Sequence, residues 1–215
     1  MDFRRISRIY VIGAPGAGKG SLCAKLAADF GFHHLSVGDL LRQLARSSSL
    51  KPKILSKIQQ SVLLDMEDLA PILRDAIADL RKDTQDKLRL LIDGVPRMLE
   101  QAAPIEEAAR MPDRSIGSPD LVLFFDCPGA LARQRFLTRQ LPGRVDDGST
   151  FDTRYQQYYA ENMRIVAYYE RRGVLVKVDT SGDVDCSYAR LLQGLASCAK
   201  GSSEAAEASD EDVLD

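Results

Sequence analysis

Ile9-Tyr10-Val11-Ile12-Gly13-Ala14-Pro15-Gly16-Ala17-Gly18-Lys19-Gly20-Ser21 is the stretch on which the reading of this chain turns. A short apolar run empties into a glycine-rich loop. Beyond the loop, Leu22, Cys23, Leu26, Ala27 and Phe30 recur at helical spacing until Gly31 ends the run. The pattern is strand, loop, helix. Such a loop wraps backbone N–H groups around a polyphosphate, and the free donors and partial positive charge of the helix N-terminus add to the attraction. Lys19 is placed to reach terminal phosphates, and the Ser21 hydroxyl to sit near Mg²⁺. The general P-loop pattern asks for Ser or Thr directly after the lysine; here Gly20 intervenes.

Working outward, further apolar runs occur at Leu88–Ile92, Leu121–Phe125 and Val174–Val178, and another strand ends at His34-Leu35-Ser36. Near-continuous apolar runs suit strands buried on both faces of a parallel sheet, and the amphipathic stretches between them suit crossover helices. The expected fold is α/β, a P-loop doubly wound parallel sheet. Two regions break the alternation. Residues 37–85 read as several helices, with stripes at Leu40, Leu41, Leu44, at Ile54, Leu55, Ile58 and at Leu69, Ile72, Leu73, Ile77, Leu80. Residues 140–153 are polar, with turn signals at Pro142-Gly143 and Asp147-Gly148. Both read as lobes hung on the core, and mobile lobes over a phosphate site serve as lids.

The chain has 215 residues, enough for one such domain, expected over 1–200. Four scattered cysteines form no Cys-x-x-Cys pair, so neither a zinc site nor a redox motif is indicated. The net charge of −2 is uneven: residues 201–215 hold six acids and no Lys or Arg, leaving 29 basic against 25 acidic side chains, or +4, on residues 1–200. A mildly cationic body suits a small phosphate-bearing ligand and is too weak for a nucleic-acid surface. The acidic tail reads as disordered. With no membrane-length apolar run and no apolar secretion signal in Met1–Arg5, a cytoplasmic protein is expected.

After Leu88–Ile92 comes Asp93-Gly94-Val95-Pro96-Arg97. A carboxylate at the end of a sheet strand beside a P-loop is placed to hold hydrated Mg²⁺. Arg97 and Gln101, four apart on the helix expected there, would project toward one ligand. Arg135 and Arg139 repeat that spacing on a helix over 130–139, Arg144 follows in the polar lobe, and Arg154 opens the next helix. With Arg42 and Lys19 they form a set of phosphate-binding cations flanking the loop. No Ser/His/Asp arrangement accompanies them, and His33 and His34 read as structural. Phosphoryl transfer to an acceptor that is already an anionic phosphate needs no general base; it needs positioning, charge neutralisation and exclusion of water.

The run Gly-x-Pro-Gly-x-Gly-Lys-Gly-Ser, then Leu35–Arg42, then Asp93–Arg97, then Gly143–Asp147, resembles the nucleoside monophosphate kinases in order and spacing from about residue 8 to about residue 198. Gly20 is part of that family's loop. The resemblance implies a parallel-sheet core, a monophosphate-binding lobe near 37–80 and a short lid near 140–153. It implies that Gly16, Ala17, Gly18, Lys19, Gly20 and Ser21 hold the ATP phosphates, with Mg²⁺ near Ser21 and Asp93. Arg135 would lie against the ATP base, Arg139 on its phosphates, and Gly182 would offer backbone near the adenine. Arg42 and Arg97 would bind the acceptor phosphate. Arg144 and Arg154 would clamp the transferring group, while Val37, Val62, Leu63, Leu64, Gly94 and Gln101 would line the acceptor side. A monomer is the family's usual state.

Gln101 stands where adenylate kinases of the family read the adenine edge, and an amide can pair that edge bidentately, which favours AMP. Val37, in place of the Thr usual in adenylate kinases, and Phe124-Phe125-Asp126-Cys127 resemble the uridylate/cytidylate branch. That branch is the alternative. A nucleotide-binding module with little turnover is the alternative of another class, motivated by the departures at Leu22, Val37 and Val95. Retention of the charged set argues against it.

Overall fold

A computed structural model describes residues 3–47, 49–82, 84, 88–108, 116–139 and 146–210, with the side chains of 4, 106–108 and 199–210 outside that description. Strands β1 (Arg8–Gly13), β2 (His33–Ser36), β3 (Leu90–Asp93), β4 (Leu121–Asp126) and β5 (Leu175–Asp179) form one sheet in the order β2-β3-β1-β4-β5. Every pairing is parallel. The helices are α1 (Lys19–Phe30), α2 (Val37–Arg46), α3 (Pro52–Gln59), α4 (Met66–Lys82), α5 (Leu99–Ala108), α6 (Gly129–Thr138), α7 (Gly148–Arg171) and α8 (Val184–Asp210).

Alternation along the strands divides the core into two halves. Ile9 and Val11 of β1, Leu91 of β3 and Leu121, Leu123 and Phe125 of β4 face α1, α6 and α8 through Leu22, Leu26, Phe136, Leu191 and Leu195. Tyr10, Ile12, Leu90, Ile92, Val122 and Phe124 face the other way, onto α2, α4, α5 and α7 through Val37, Leu69, Leu73, Ala102, Ile105, Ile165 and Tyr169. The fold is a three-layer α/β/α arrangement. β1 lies at the centre, and the connections from β1 and β4 leave toward opposite edges of the sheet. The crevice at their C-terminal ends is where ligands bind in such sheets.

The structure adds detail at three places. Residues 148–153, counted with the polar lobe, are the first turns of α7, started by Asp147, whose carboxylate accepts the Thr150 N–H at 2.7 Å. The backbone of α8 continues to Asp210, through ten residues of the acidic segment. Arg97 precedes α5 instead of lying on it, so the helical spacing argument for Arg97 and Gln101 does not apply. Arg144 and residues 140–145 lie outside the described residues. Among the described residues, no helix is long and apolar enough to cross a membrane.

Leu73, fully buried, joins α4 to the sheet. Leu73→Ala is expected to destabilise the protein by about 3 kcal/mol, read as a lower urea midpoint with an unchanged slope.

Candidate active site

The loop after β1 has the shape its glycines require. Gly16 has φ +85°, and a Cβ there would fall 2.0 Å from the Ala132 carbonyl oxygen. Gly18, at φ 83°, turns the chain into α1 without a side-chain cap. The opening amides of α1 are thereby left for a ligand. At Gly20 a Cβ would meet no protein atom within 4 Å, and the residue lines a cavity of about 700 Å³.

Every proposed site residue within the described set lines this cavity: Gly16 to Ser21, Val37, Arg42, Val62 to Leu64, Asp93, Gly94, Arg97, Gln101, Arg135, Arg139, Arg154 and Gly182. They come from the ends of β1 and β3, the α2–α4 lobe, α6, α7 and the β5–α8 loop. Lys19 Nζ donates to the carbonyls of Gly13 and Ala14, both at 2.8 Å. Burial lowers its pKa to about 8, against the raising effect of Asp93, with Arg97 and Arg139 adding to the fall. Asp93 is 7% exposed, and His34 Nε2 stands 3.4 Å from its Oδ2, a close electrostatic contact and not a well-aligned hydrogen bond. Burial would raise the Asp93 pKa, but His34, Lys19 and Arg97 outweigh it and hold the carboxyl below its usual range.

Each arginine is held differently. Arg42 pairs with Asp39 Oδ1 at 2.5 Å. Arg97 Nε donates to the Gly94 carbonyl at 3.0 Å. Arg135 donates to the carbonyls of Thr180, at 2.7 Å, and Gly182, so its edge ties α6 to the β5–α8 loop while its planar face is what remains for stacking. Arg139 forms a two-pronged pair with Asp146, at 2.6 and 2.8 Å, over the Phe136 ring. Its fork, expected on a phosphate, is engaged by a carboxylate here. Arg154 makes no ion pair among the described residues. Its pKa falls to about 10, by burial first and then by repulsion from Arg97, Arg42 and Arg139, against a smaller opposing effect of Asp146.

Residues 11–174 match the family model described as adenylate kinase. The chain belongs to the adenylate kinase family. It is 37% identical to human adenylate kinase isoenzyme 1 over 190 residues, 87% of this chain and 93% of that protein. It is also 37% identical to the UMP-CMP kinase of Prunus armeniaca over 82% of this chain and 72% of the relative, and 35% identical to the uridylate kinase of Saccharomyces cerevisiae over 86% and 88%.

Within this adenylate kinase-family site, Gln101 is 2% exposed, and both ends of its amide are engaged. Oε1 accepts the Arg97 N–H at 2.6 Å, and Nε2 donates to the Leu64 carbonyl at 2.7 Å. One lone pair and one N–H remain on that amide. Gln101 thus joins the start of α5 to the end of the Val62–Leu64 segment instead of projecting freely beside Arg97. Sequence reasoning missed Asp146 as the partner of Arg139, His34 as the neighbour of Asp93, and Gln157, Tyr158 and Asn162, which line the cavity from α7. Asp146 was within reach, since it stands seven residues from Arg139 in the polar lobe; the α7 residues carry no motif.

A polyphosphate against Lys19 will restore its proton. Between pH 8 and 10, ATP binding is therefore expected to take up protons, roughly 0.7 of one at pH 8.5. Calorimetry in two buffers of different ionisation enthalpy measures the uptake, and Lys19→Met should abolish it.

Proposed function

We propose that the protein transfers the γ-phosphoryl group of Mg·ATP to AMP, reversibly, giving two ADP. The observation that carries this reading is the convergence of Arg42, Arg97, Arg139 and Arg154 on one cavity, where their repulsion adds to the burial that depresses the Arg154 pKa. Repelling guanidinium groups around one cavity suit two polyanions, a donor on the Gly16–Ser21 loop and an acceptor phosphate opposite. On this reading Lys19, Arg97, Arg139, Arg144 and Arg154 neutralise charge on the transferring group. Arg42 and Arg97 hold the acceptor phosphate, and Arg135 and Gly182 flank the donor base. Arg139 exchanges Asp146 for phosphate when the donor arrives.

Mg²⁺ fits the residues present. Among the described residues no group of three His, Cys, Asp or Glu forms a protein cage, while Asp93 is kept ionised at the end of β3 and Ser21 lies across the loop. Mg²⁺ is commonly held in that way, by phosphates and water with one or two protein oxygens. When bound it would neutralise phosphate charge.

The 37–80 lobe would close over the acceptor and the 140–153 segment over the donor, excluding water, with residues 1–200 acting as one unit. We take the protein as a cytoplasmic monomer with two small nucleotides as its partners and no nucleic acid. AMP is favoured by the Gln101 amide. Val37 and the engagement of that amide by backbone favour the second reading, UMP or CMP as acceptor.

Comparing kcat/KM for AMP, UMP and CMP with Mg·ATP decides between the two. AMP is expected to lead, and a clear preference for a pyrimidine monophosphate transfers the assignment. Arg97→Ala should lower kcat by about 10²–10³-fold in a protein that melts as the wild type does. A near-normal rate would remove Arg97 from the transfer step.

A further inference from the structure

Asn162 is a polar group in this cavity that the reading above leaves without a task. It is 7% exposed, it lines the cavity, and it makes no hydrogen bond among the described residues. Most of the residue is covered, yet its amide is not among the side-chain atoms that are both buried and unpartnered, so the amide opens onto the cavity. An unpartnered one facing a cavity therefore points to a ligand.

Its place along α7 says which part of the ligand. Arg154, Tyr158, Asn162 and Ile165 follow one another down a single helix face, and all four line the cavity. Arg154 is at the cation cluster, and Asn162 is eight residues further, roughly 12 Å along the axis at 1.5 Å per residue. This second stretch of α7 borders the acceptor side. Gln157 Nε2 donates to the Ser61 carbonyl at 2.9 Å, immediately before the Val62–Leu64 segment. The Leu99 N–H, which opens α5, donates to the carboxylate of Glu161 beside Asn162 at 3.4 Å. A nucleoside monophosphate with its phosphate at Arg154 lays its base along this wall, away from the cluster.

We propose that Asn162 is a specificity-determining residue that hydrogen-bonds the base of the acceptor nucleotide. The proposal rests on the reading of a nucleoside monophosphate as acceptor. Gln101 has half of its amide spent on the backbone at Arg97 and Leu64. Asn162 brings a complete one, with a donor and an acceptor side by side, the pattern that pairs with adenine's amino group and the adjacent ring nitrogen. The two amides together would present more hydrogen-bonding capacity to the base than Gln101 alone.

The test compares AMP with purine riboside 5′-monophosphate, which lacks the amino group, in wild type, Asn162→Leu and Asn162→Ala at saturating Mg·ATP. Thermal melts establish that each variant is folded, and Asn162→Ala serves if the leucine does not fit. In the wild type, loss of the amino group is expected to lower kcat/KM at least about tenfold. In the variants the KM for AMP should rise about tenfold, the AMP binding constant measured by calorimetry should weaken in step, and the preference for AMP over the analogue should shrink toward one. The KM for ATP should not move. An unchanged KM for AMP in a folded variant overturns the proposal, as does a rise shared equally by AMP and the analogue. A wild type that yields no product with any monophosphate is a different result: it overturns the acceptor reading itself.

Discussion

Repulsion among cations at the C-terminal end of the sheet governs this molecule. Lys19, Arg42, Arg97, Arg139 and Arg154 line one cavity, where burial is the first cause of the fall of the Arg154 pKa to about 10 and repulsion from three neighbouring guanidinium groups adds to it. Nothing in a folded chain brings such groups together for its own stability. The arrangement persists because the two-sided core holds the elements that carry them, and because Asp39, Asp93 and Asp146 offset part of the charge. Each of these acids does so in a way an incoming ligand can replace or extend. Asp146 occupies the Arg139 fork in the geometry a phosphate would use, and Asp93 remains ionised beside the loop.

Helix α7 links the halves of the site. Ile165, Val166 and Tyr169 anchor it in the core against the sheet. Its first half carries Arg154 at the cation cluster, Gln157 reaches the α2–α4 lobe at Ser61, and Glu161 receives the first N–H of α5. These contacts tie the α2–α4 lobe and the start of α5 to the helix that carries Arg154.

The sheet was legible in the sequence because β1, β3 and β4 are buried on both faces, which leaves near-continuous apolar runs at Ile9–Ile12, Leu90–Ile92 and Leu121–Phe125. The edge strand β2 showed only at its end, since His33 and His34 face outward or toward Asp93 and interrupt the run. The P-loop was legible because Gly16 and Gly18 answer local backbone demands that no other residue meets without strain. Arg154 was placed at the opening of a helix, but the full length of α7 was not read. Its inner face alternates core residues with Arg154 and Asn162, which face the cavity, and so breaks the apolar stripe that marks a helix. Gln101 was read for its spacing from Arg97. The start of α5 at Leu99 turned the amide back toward the backbone, a long-range outcome of where the helix begins. Asp146 and His34 act only through partners brought close by folding, and no local pattern announces them.

The central claim is that one cavity holds donor and acceptor together, with the phosphates of both at the cation cluster. The most direct measurement is calorimetric titration with a bisubstrate probe, two adenosines joined through their 5′ positions by a chain of five phosphates. The account predicts that one molecule binds per protein, displaces bound ATP and bound AMP alike, and binds far more tightly than either. Binding that displaces only one of the two nucleotides, or two probe molecules bound per protein, would contradict it.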